Sequence, residues 1–137
     1  MIGVILLAQP DLAKGLLGAA THCLQHEQPG LEVVAVNYDE TPEQLRARLA
    51  EAIARADYGQ GVLILTDIYG ATHTNTACTL LERQRIELIT GMNLPMLIKV
   101  LNYRDLPLED VIDKALSGGS GGIVCAANPA PKREAQG

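Results

Sequence analysis

Aromatic side chains are scarce in this chain, which has no Trp, no Phe and only four Tyr among its 137 residues. Proteins that bind single-stranded nucleic acid stack the bases on aromatic side chains, so the composition argues against such a platform. Basic residues are also few, with 11 Lys and Arg against 16 Asp and Glu, and they form no stripe along the sequence. The net charge of -5 disfavours nucleic acid and anionic membrane surfaces as partners.

Long apolar runs and disulfide patterns are missing as well. No stretch approaches the roughly 20 apolar residues that a membrane-spanning helix needs. The apolar start, Met1–Ala8, has no cationic segment and is too short for a signal peptide, so it predicts a first strand. The three cysteines, Cys23, Cys78 and Cys125, lie in apolar patterns without metal-like spacing. We therefore expect buried free thiols in a reducing cytosol.

The length and composition of the chain suit a single domain. With 137 residues and 47% hydrophobic content, the chain can bury a proper core. We expect this domain to span residues 1–127. The remaining residues, 128–137, read NPAPKREAQG and have no apolar period, which predicts a disordered tail.

Strand and helix patterns alternate along the domain. Short apolar runs rich in branched side chains predict four strands, at Ile2–Ala8, Leu31–Val36, Gly61–Thr66 and Arg85–Thr90. Helical patterns follow each strand, and the second helix starts with a capping box formed by Thr41 and Gln44. This alternation predicts an α/β fold with a doubly wound, mainly parallel sheet flanked by helices. A flavodoxin-like strand order, 2-1-3-4, would place the first and third strands side by side.

A glycine-rich segment, Ser117–Gly122, precedes a last apolar run at Ile123–Ala126. The segment lacks the Lys-Ser/Thr pair of a P-loop and does not precede a helix pattern, so it predicts a flexible joint. The apolar run after it predicts a last strand.

The stretch Gly61–Asn75, GVLILTDIYGATHTN, changes abruptly from apolar to polar. Asp67 stands where the third strand ends, and Gly70 permits a turn before the next helix begins. In an open α/β sheet, ligands bind in the crevice at the carboxyl ends of the central strands. If the first and third strands are neighbours, the loops that carry Gln9 and Asp67 meet there and share one hollow.

Three motifs at their spacings carry a resemblance to a known family: GVLILTDIYGATHTN, TGMNLPML from Thr90 to Leu97, and KALSGG from Lys114 to Gly119. Together they resemble the mannose-type (mannose/fructose/sorbose) enzyme IIA domains of the phosphoenolpyruvate-dependent sugar phosphotransferase system. The resemblance covers the chain up to about Ala127.

The resemblance implies a cytoplasmic phosphoryl carrier, formally a transferase component. Members of this family accept a phosphoryl group from the small histidine-containing phosphocarrier protein, on a histidine after the first strand, and pass it to a IIB component. They are typically homodimers that exchange an antiparallel last strand, and the Ser117–Gly122 joint suits such an exchange. We expect no cofactor and no metal ion.

The chain departs from the family where the acceptor histidine would stand. The family has Thr-His-Gly or Ser-His-Gly after the first strand, and this chain has Ala8-Gln9-Pro10. The nitrogen of a carboxamide is delocalised into its carbonyl and cannot attack phosphorus, so Gln9 is not a phosphoryl acceptor. Its amide can still donate hydrogen bonds to an anion. Equally, Gln9 can be a polar residue that only fills a loop.

Asp67 and His73 are the remaining candidates for the chemistry. The resemblance implies that Asp67 holds the second nitrogen of the acceptor histidine. As an alternative, Asp67 can be a strand-end carboxylate that accepts backbone N–H bonds. His73 stands where the family usually has proline, near a helix N-terminus that would suit phosphate. It is either a relocated acceptor, oriented by Asp67 or Thr72, or a solvent-facing loop histidine.

The other polar residues near this helix start can stabilise the helix or contact a ligand. Thr72 and Thr74 are predicted N-cap residues, and Asn75 is predicted to contact either the helix or a ligand. With Asn93, which opens the fourth helix pattern, these residues are the predicted phosphate pocket.

His22 and His26 have the i, i+4 spacing that can hold a metal ion, but no third ligand stands near them in the sequence. A solvated pair is therefore the simpler interpretation.

Two functional classes remain open. In the first, the protein is a working phosphoryl carrier that uses His73 or an acceptor from a second copy. In the second, it is a phosphorylation-incompetent IIA-like protein that binds partners in a regulatory way, because Gln9 occupies the acceptor position.

Overall fold

Strands and helices alternate along residues 1–127, the part of the chain that the computed structural model describes. In chain order the elements are β1 (Gly3–Ala8), α1 (Pro10–Leu24), β2 (Leu31–Ala35), α2 (Pro42–Ala56), β3 (Val62–Thr66), α3 (Thr72–Cys78), β4 (Ile86–Ile89), α4 (Leu94–Asn102) and α5 (Leu108–Gly121). The predicted tail, 128–137, lies outside the described residues.

The four strands form one parallel sheet in the order β2-β1-β3-β4, which confirms the predicted fold class and strand order. The central strand β1 pairs with both neighbours, and Leu6 lies opposite Val33 of β2 and Leu65 of β3. Every residue of β1 and β3 is buried, because helices cover both faces of the sheet.

Alternate residues of the central strands enter two separate cores. Leu6 and Leu63 pack on one face with residues of α1, α4 and α5. Ile5 and Ile64 pack on the other face with residues of α2 and α3. This period of two fixes which face of the sheet each side chain joins. Because the strands are parallel, the carboxyl ends of β1, β2 and β3 lie at one edge.

The start of α2 is fixed by capping residues predicted from the sequence. Thr41 Oγ1 accepts a hydrogen bond from the backbone N–H of Gln44 at 3.1 Å, and the Gln44 side chain accepts one from the Thr41 N–H at 2.9 Å. The predicted capping box of α2 is therefore confirmed. This box fixes the point at which the connection from β2 enters α2.

The glycine-rich segment is not a flexible joint, because α5 continues through it to Gly121. A Cβ at Gly119 would lie 2.7 Å from Met96 Cε, and a Cβ at Gly118 would lie 2.7 Å from Lys99 Cβ. The missing side chains let α5 approach α4 closely. The prediction was wrong because this close approach between two distant segments leaves no mark in the local sequence.

Residues 123–126 do not form the predicted last strand in this chain. Ile123 and Val124 are 72% and 59% exposed. An apolar run becomes a strand only when a neighbouring strand edge pairs with it, and in the described part of the chain no strand pairs with it.

The cysteines also differ from the expectation, since Cys23, Cys78 and Cys125 are exposed free thiols. Cys23 lies near the end of α1, and Cys78 ends α3, whose inward positions are taken by Thr74, Thr76 and Ala77. Among residues 1–127, no helix is long and apolar enough to cross a bilayer.

Candidate functional site

A hollow of about 480 Å³ opens at the carboxyl ends of β1, β2 and β3. Both Gln9 and Asp67 line it, in agreement with their positions after neighbouring strands. The full lining consists of Gln9, Val36, Asn37, Tyr38, Glu40, Thr41, Pro42, Leu45, Asp67, Ile68, Ala71, Thr72 and His73. This edge of the sheet is where the topology predicts a ligand.

A larger cavity of about 690 Å³ lies at the other end of the sheet, between the loops before β3 and β4 and the start of α5. Its charged lining residues are Glu87, Asp105 and Glu109, and its lining contains no histidine. We place the candidate site in the smaller hollow, because its lining brings a histidine and a carboxylate together.

The backbone around Asp67 is held firmly. The Thr66 side chain is buried, and its hydroxyl donates a hydrogen bond to the Leu7 carbonyl at 2.7 Å. The carbonyl of Asp67 accepts a hydrogen bond from the Gly91 N–H at 2.9 Å. Asp67 is thus fixed between β1 and the turn after β4, and its position in the hollow is preorganised.

Three groups surround the Asp67 carboxylate. Oδ1 lies 2.8 Å from the N–H of Ile68 and 3.2 Å from Nε2 of His73, and the Thr66 hydroxyl lies 3.4 Å away. Burial acts to raise the pKa of Asp67, but the hydrogen bonds from Ile68 and His73 outweigh it and lower the pKa below its ordinary value. Asp67 is therefore ionised near neutral pH.

The hydrogen bond to Asp67 fixes the tautomer of His73. An ionised carboxylate only accepts hydrogen bonds, so Nε2 of His73 must carry the proton. In the neutral ring this leaves the lone pair on Nδ1, which makes no hydrogen bond with a described residue. The side chain is 16% exposed and lines the hollow. The pair can thus present a nucleophilic nitrogen.

The chain reaches this geometry through the short loop between β3 and α3. Gly70 has φ +88°, a left-handed conformation that residues with a Cβ rarely adopt. The turn it permits brings the first residues of α3 back towards the strand end, so that His73 faces Asp67. The solvent-facing interpretation of His73 is wrong, since its side chain is mostly buried.

Gln9 enters the hollow after β1, and its side chain makes no hydrogen bond with any residue in 1–127. It is exposed, and at the N-cap position of α1 its side chain makes no capping hydrogen bond. Pro10 follows at the first helical position, where its missing N–H does no harm. Within the described residues, Asp67 bonds to His73 and not to Gln9.

Thr72 and Thr74 are not N-cap residues, which corrects the prediction. The N-cap of α3 is Ala71, without a side-chain cap. Thr72 lines the hollow, whereas Thr74 is buried and its hydroxyl donates to the Ile68 carbonyl at 2.7 Å. The helix begins too early for either hydroxyl to cap it. With only seven residues, α3 also provides little dipole for phosphate binding.

Asn75 and Asn93 do not line the hollow. Asn75 is exposed on α3. Asn93 is the N-cap of α4, where its side chain accepts a hydrogen bond from the Met96 N–H at 2.9 Å and donates one to the Gly119 carbonyl at 3.1 Å. Asn93 therefore stabilises the contact between α4 and α5.

His22 and His26 both lie at the exposed surface. Nδ1 of His26 lies 3.0 Å from Nε2 of Gln28. No group of three or more metal-ligating side chains occurs in residues 1–127.

Sequence reasoning missed one side of the hollow, which comes from the connection between β2 and α2. Val36, Asn37 and Tyr38 lie there together with the first residues of α2. The signal that could have found them was the predicted strand order, because β2 ends at the same edge as its neighbour β1.

Comparison with known proteins gives concordant results. The family model described as PTS system fructose IIA component matches residues 3–116. The fructose-specific EIIA component of Bacillus subtilis is 31% identical over 121 residues, covering 85% of this chain and 82% of that protein. The mannose-specific EIIAB component of Escherichia coli is 30% identical over 87 residues, and the match covers 61% of this chain but only 27% of that longer protein.

Solved structures share the fold. A phosphotransferase system component EIIA from Streptococcus agalactiae superimposes with a TM-score of 0.81 at 23% identity, over 93% of this chain and 98% of that chain. The mannose/sorbose specific IIA subunit from Enterococcus faecalis gives a TM-score of 0.80 at 18% identity, over 96% of this chain and 98% of that chain. At these identities the likeness establishes the architecture alone.

Proposed function

This chain belongs to the mannose-type enzyme IIA (EIIA-man) family of the sugar phosphotransferase system, and on that premise we propose that it is a phosphoryl carrier whose acceptor is His73. The single observation that carries the proposal is the hydrogen bond of 3.2 Å between His73 Nε2 and Asp67 Oδ1. It gives this histidine the carboxylate partner that the family resemblance assigns to the acceptor.

The transfer step uses the tautomer that Asp67 selects. The Nδ1 lone pair attacks the phosphorus of a phosphohistidine on the donor protein, so that a new N–P bond forms as the donor's N–P bond breaks. The leaving nitrogen keeps the bonding electron pair. The His73 ring becomes positively charged while Nε2 retains its proton, and the Asp67 carboxylate stabilises that charge. Transfer onward reverses the same steps.

Gln9 contributes to binding and not to bond formation. It lines the same hollow as His73, and its amide is free of other described partners. We assign its N–H groups to the oxygens of the transferred phosphoryl group. This explains how a residue without a nucleophilic nitrogen can occupy the position of the family's acceptor.

The partners follow from the family. The donor is the histidine-containing phosphocarrier protein, the recipient is a IIB component, and the carrier works in the cytoplasm. A homodimer that exchanges residues 123–126 is supported by two features of the single chain: Ile123 and Val124 are largely exposed, and β4 is an edge strand. Pairing these segments between copies would remove apolar surface from water.

A second function is favoured by Gln9 itself. With an amide at the family's acceptor position, the protein would bind its partners in the hollow without becoming phosphorylated, and would act as a regulatory component. This alternative predicts binding without a covalent change.

One experiment separates the two functions. The protein is incubated with phosphoenolpyruvate, enzyme I and the histidine-containing carrier, and its intact mass is measured before and after mild acid. We expect an acid-labile gain of one phosphoryl group that His73→Ala abolishes. His22→Ala, at an exposed helix position, is the matched control and should retain the gain. No gain in the unaltered protein would leave only the binding function.

A further inference from the structure

One side of the hollow is built from a single connection. We define residues 36–42, between β2 and the first turn of α2, as the outer wall. Six of its seven residues line the hollow: Val36, Asn37, Tyr38, Glu40, Thr41 and Pro42. Tyr38 is 84% exposed at the rim. The position of this wall therefore decides the width of the hollow.

The capping box holds the outer wall at Thr41, but the backbone before it has few bonds of its own. The Val36 N–H donates to the Ala8 carbonyl at 2.9 Å, and the Glu40 N–H donates to the Asn37 carbonyl at 3.1 Å. Surface connections held by so few bonds are ordinarily more mobile than the elements they join. A defined wall therefore needs a further constraint.

Arg48 supplies that constraint from the second turn of α2. Its Nε lies 2.6 Å from Glu40 Oε2, and its Nη2 lies 2.7 Å from Glu40 Oε1. The same Nη2 donates to the Ala35 carbonyl at 2.5 Å. One guanidinium thus ties Glu40, within the outer wall, and Ala35, which directly precedes the wall, to the helix. The planar fork of arginine permits this double contact, which a lysine ammonium cannot reproduce.

The ion pair is sheltered mainly at its Glu40 end. The Glu40 side chain is 12% exposed and the Arg48 side chain 38% exposed. The hydrogen bond from Arg48 lowers the pKa of Glu40. A sheltered bidentate pair is less weakened by solvent and salt than an open one.

A second arginine on α2 provides the contrast. Arg55 Nε lies 2.9 Å from Glu32 Oε1, and the two side chains are 57% and 31% exposed. Glu32 belongs to β2, which the sheet already holds in place. The Arg55 contact should therefore contribute little to any position in the hollow.

We propose that Arg48 is a positioning residue that fixes the outer wall of the hollow and thereby sets how tightly the partner protein docks there. Arg48 does not line the hollow and acts only through Glu40 and Ala35. The docking half of this inference rests on the proposed carrier function, whereas the fixing of the wall does not.

The experiment compares Arg48→Met with Arg55→Met in two measurements. Amide hydrogen exchange reports the wall directly, and we expect the Val36 and Glu40 amides to exchange about tenfold faster in Arg48→Met alone. Phosphoryl transfer from the phosphorylated carrier reports docking, and we expect the KM for the carrier to rise about tenfold with kcat within about twofold. Arg55→Met should leave both measurements unchanged.

A double-mutant cycle tests whether Arg48 acts through Glu40. Glu40→Gln and Arg48→Met should each raise the KM, and the two together should raise it no further than Arg48→Met alone. Additive effects would show that Glu40 and Arg48 act independently, so that Arg48 does not position the wall through the ion pair, and would overturn the inference.

Other outcomes are equally decisive. Unchanged exchange at Val36 and Glu40 in Arg48→Met would overturn the inference, and so would faster exchange throughout the domain, which indicates general destabilisation. If the unaltered protein accepts no phosphoryl group, the carrier function fails. Faster exchange confined to the outer wall would still support the positioning role in that case.

Discussion

The loops after β1 and β3 open into the same hollow, yet they carry different chemistry. The first presents Gln9, an amide without a nucleophilic nitrogen, and the second presents the hydrogen-bonded pair of Asp67 and His73. Both loops follow fully buried central strands. The comparison teaches that the sheet fixes where the two loops meet, and that on our proposal the loop after β3 supplies the reactive group.

Moving the acceptor histidine back to the loop after β1 should give that loop the chemistry we propose for the loop after β3. In a His73→Ala background, Gln9→His with Pro10→Gly should regain the phosphoryl group that His73→Ala loses. His73 is removed because its ring is hydrogen-bonded to Oδ1 of Asp67 in the unaltered protein and would compete with a histidine at position 9. The gain from no uptake to one phosphoryl group is the largest effect expected, and intact mass measures it.

The control for this variant is the same background with Pro10→Gly alone, which should accept nothing. If the variant that carries Gln9→His is folded and also accepts nothing, a side chain at position 9 does not reach Asp67. That outcome would remove the basis for comparing the two loops.

Much of the comparison could be predicted from the sequence. Runs of branched apolar residues predict the buried strands, and the capping box at Thr41 and Gln44 marks a helix start. A flavodoxin-like strand order, which such an alternation can adopt, then brings Gln9 and Asp67 to one edge. These features depend on local pattern or on topology.

Other features depend on contacts between distant segments and could not be predicted. The glycines of Ser117–Gly122 look like a hinge until α4 is seen against them. The hydrogen bond between Asp67 and His73 depends on the turn at Gly70, whose exact path no local pattern gives. Likewise, a threonine caps a helix only if the helix begins just after it, and local patterns define helix boundaries only to within a residue or two.

Asp67→Asn tests the partner rather than the acceptor and should have the next largest effect. An amide at this position can donate to the ring and no longer selects the tautomer with the proton on Nε2. We expect phosphoryl uptake to slow by about 10- to 100-fold, measured as the initial rate by intact mass at fixed carrier concentration.

Asp57→Asn is the matched control for that change. Asp57 also accepts a backbone hydrogen bond, from Gly59 at 2.8 Å, and a side-chain bond, from Arg85 at 3.0 Å, but it precedes β3 instead of following it. Its replacement should leave the uptake rate unchanged. Equal slowing in both variants would mean that a general loss of stability, and not the tautomer of His73, explains the effect.

The smallest effect is expected on stability at acid pH, which tests whether the Asp67 carboxylate is stabilised in its ionised form. Because the folded pKa of Asp67 is lowered, its contribution to stability is fully present above the unfolded pKa of about 3.9. As the pH falls further, the unfolded chain binds the proton first, and the contribution disappears as the pH passes the folded pKa. The difference in thermal midpoint between the unaltered protein and Asp67→Asn should therefore be constant above about pH 5 and narrow below about pH 4. Glu40, whose pKa is also lowered, is present in both proteins and cancels in this difference.

A difference in thermal midpoint that widened on acidification would contradict this prediction. It would mean that the hydrogen bonds of the Asp67 carboxylate do not favour its ionised form, and the reason for placing the proton of His73 on Nε2 would be lost.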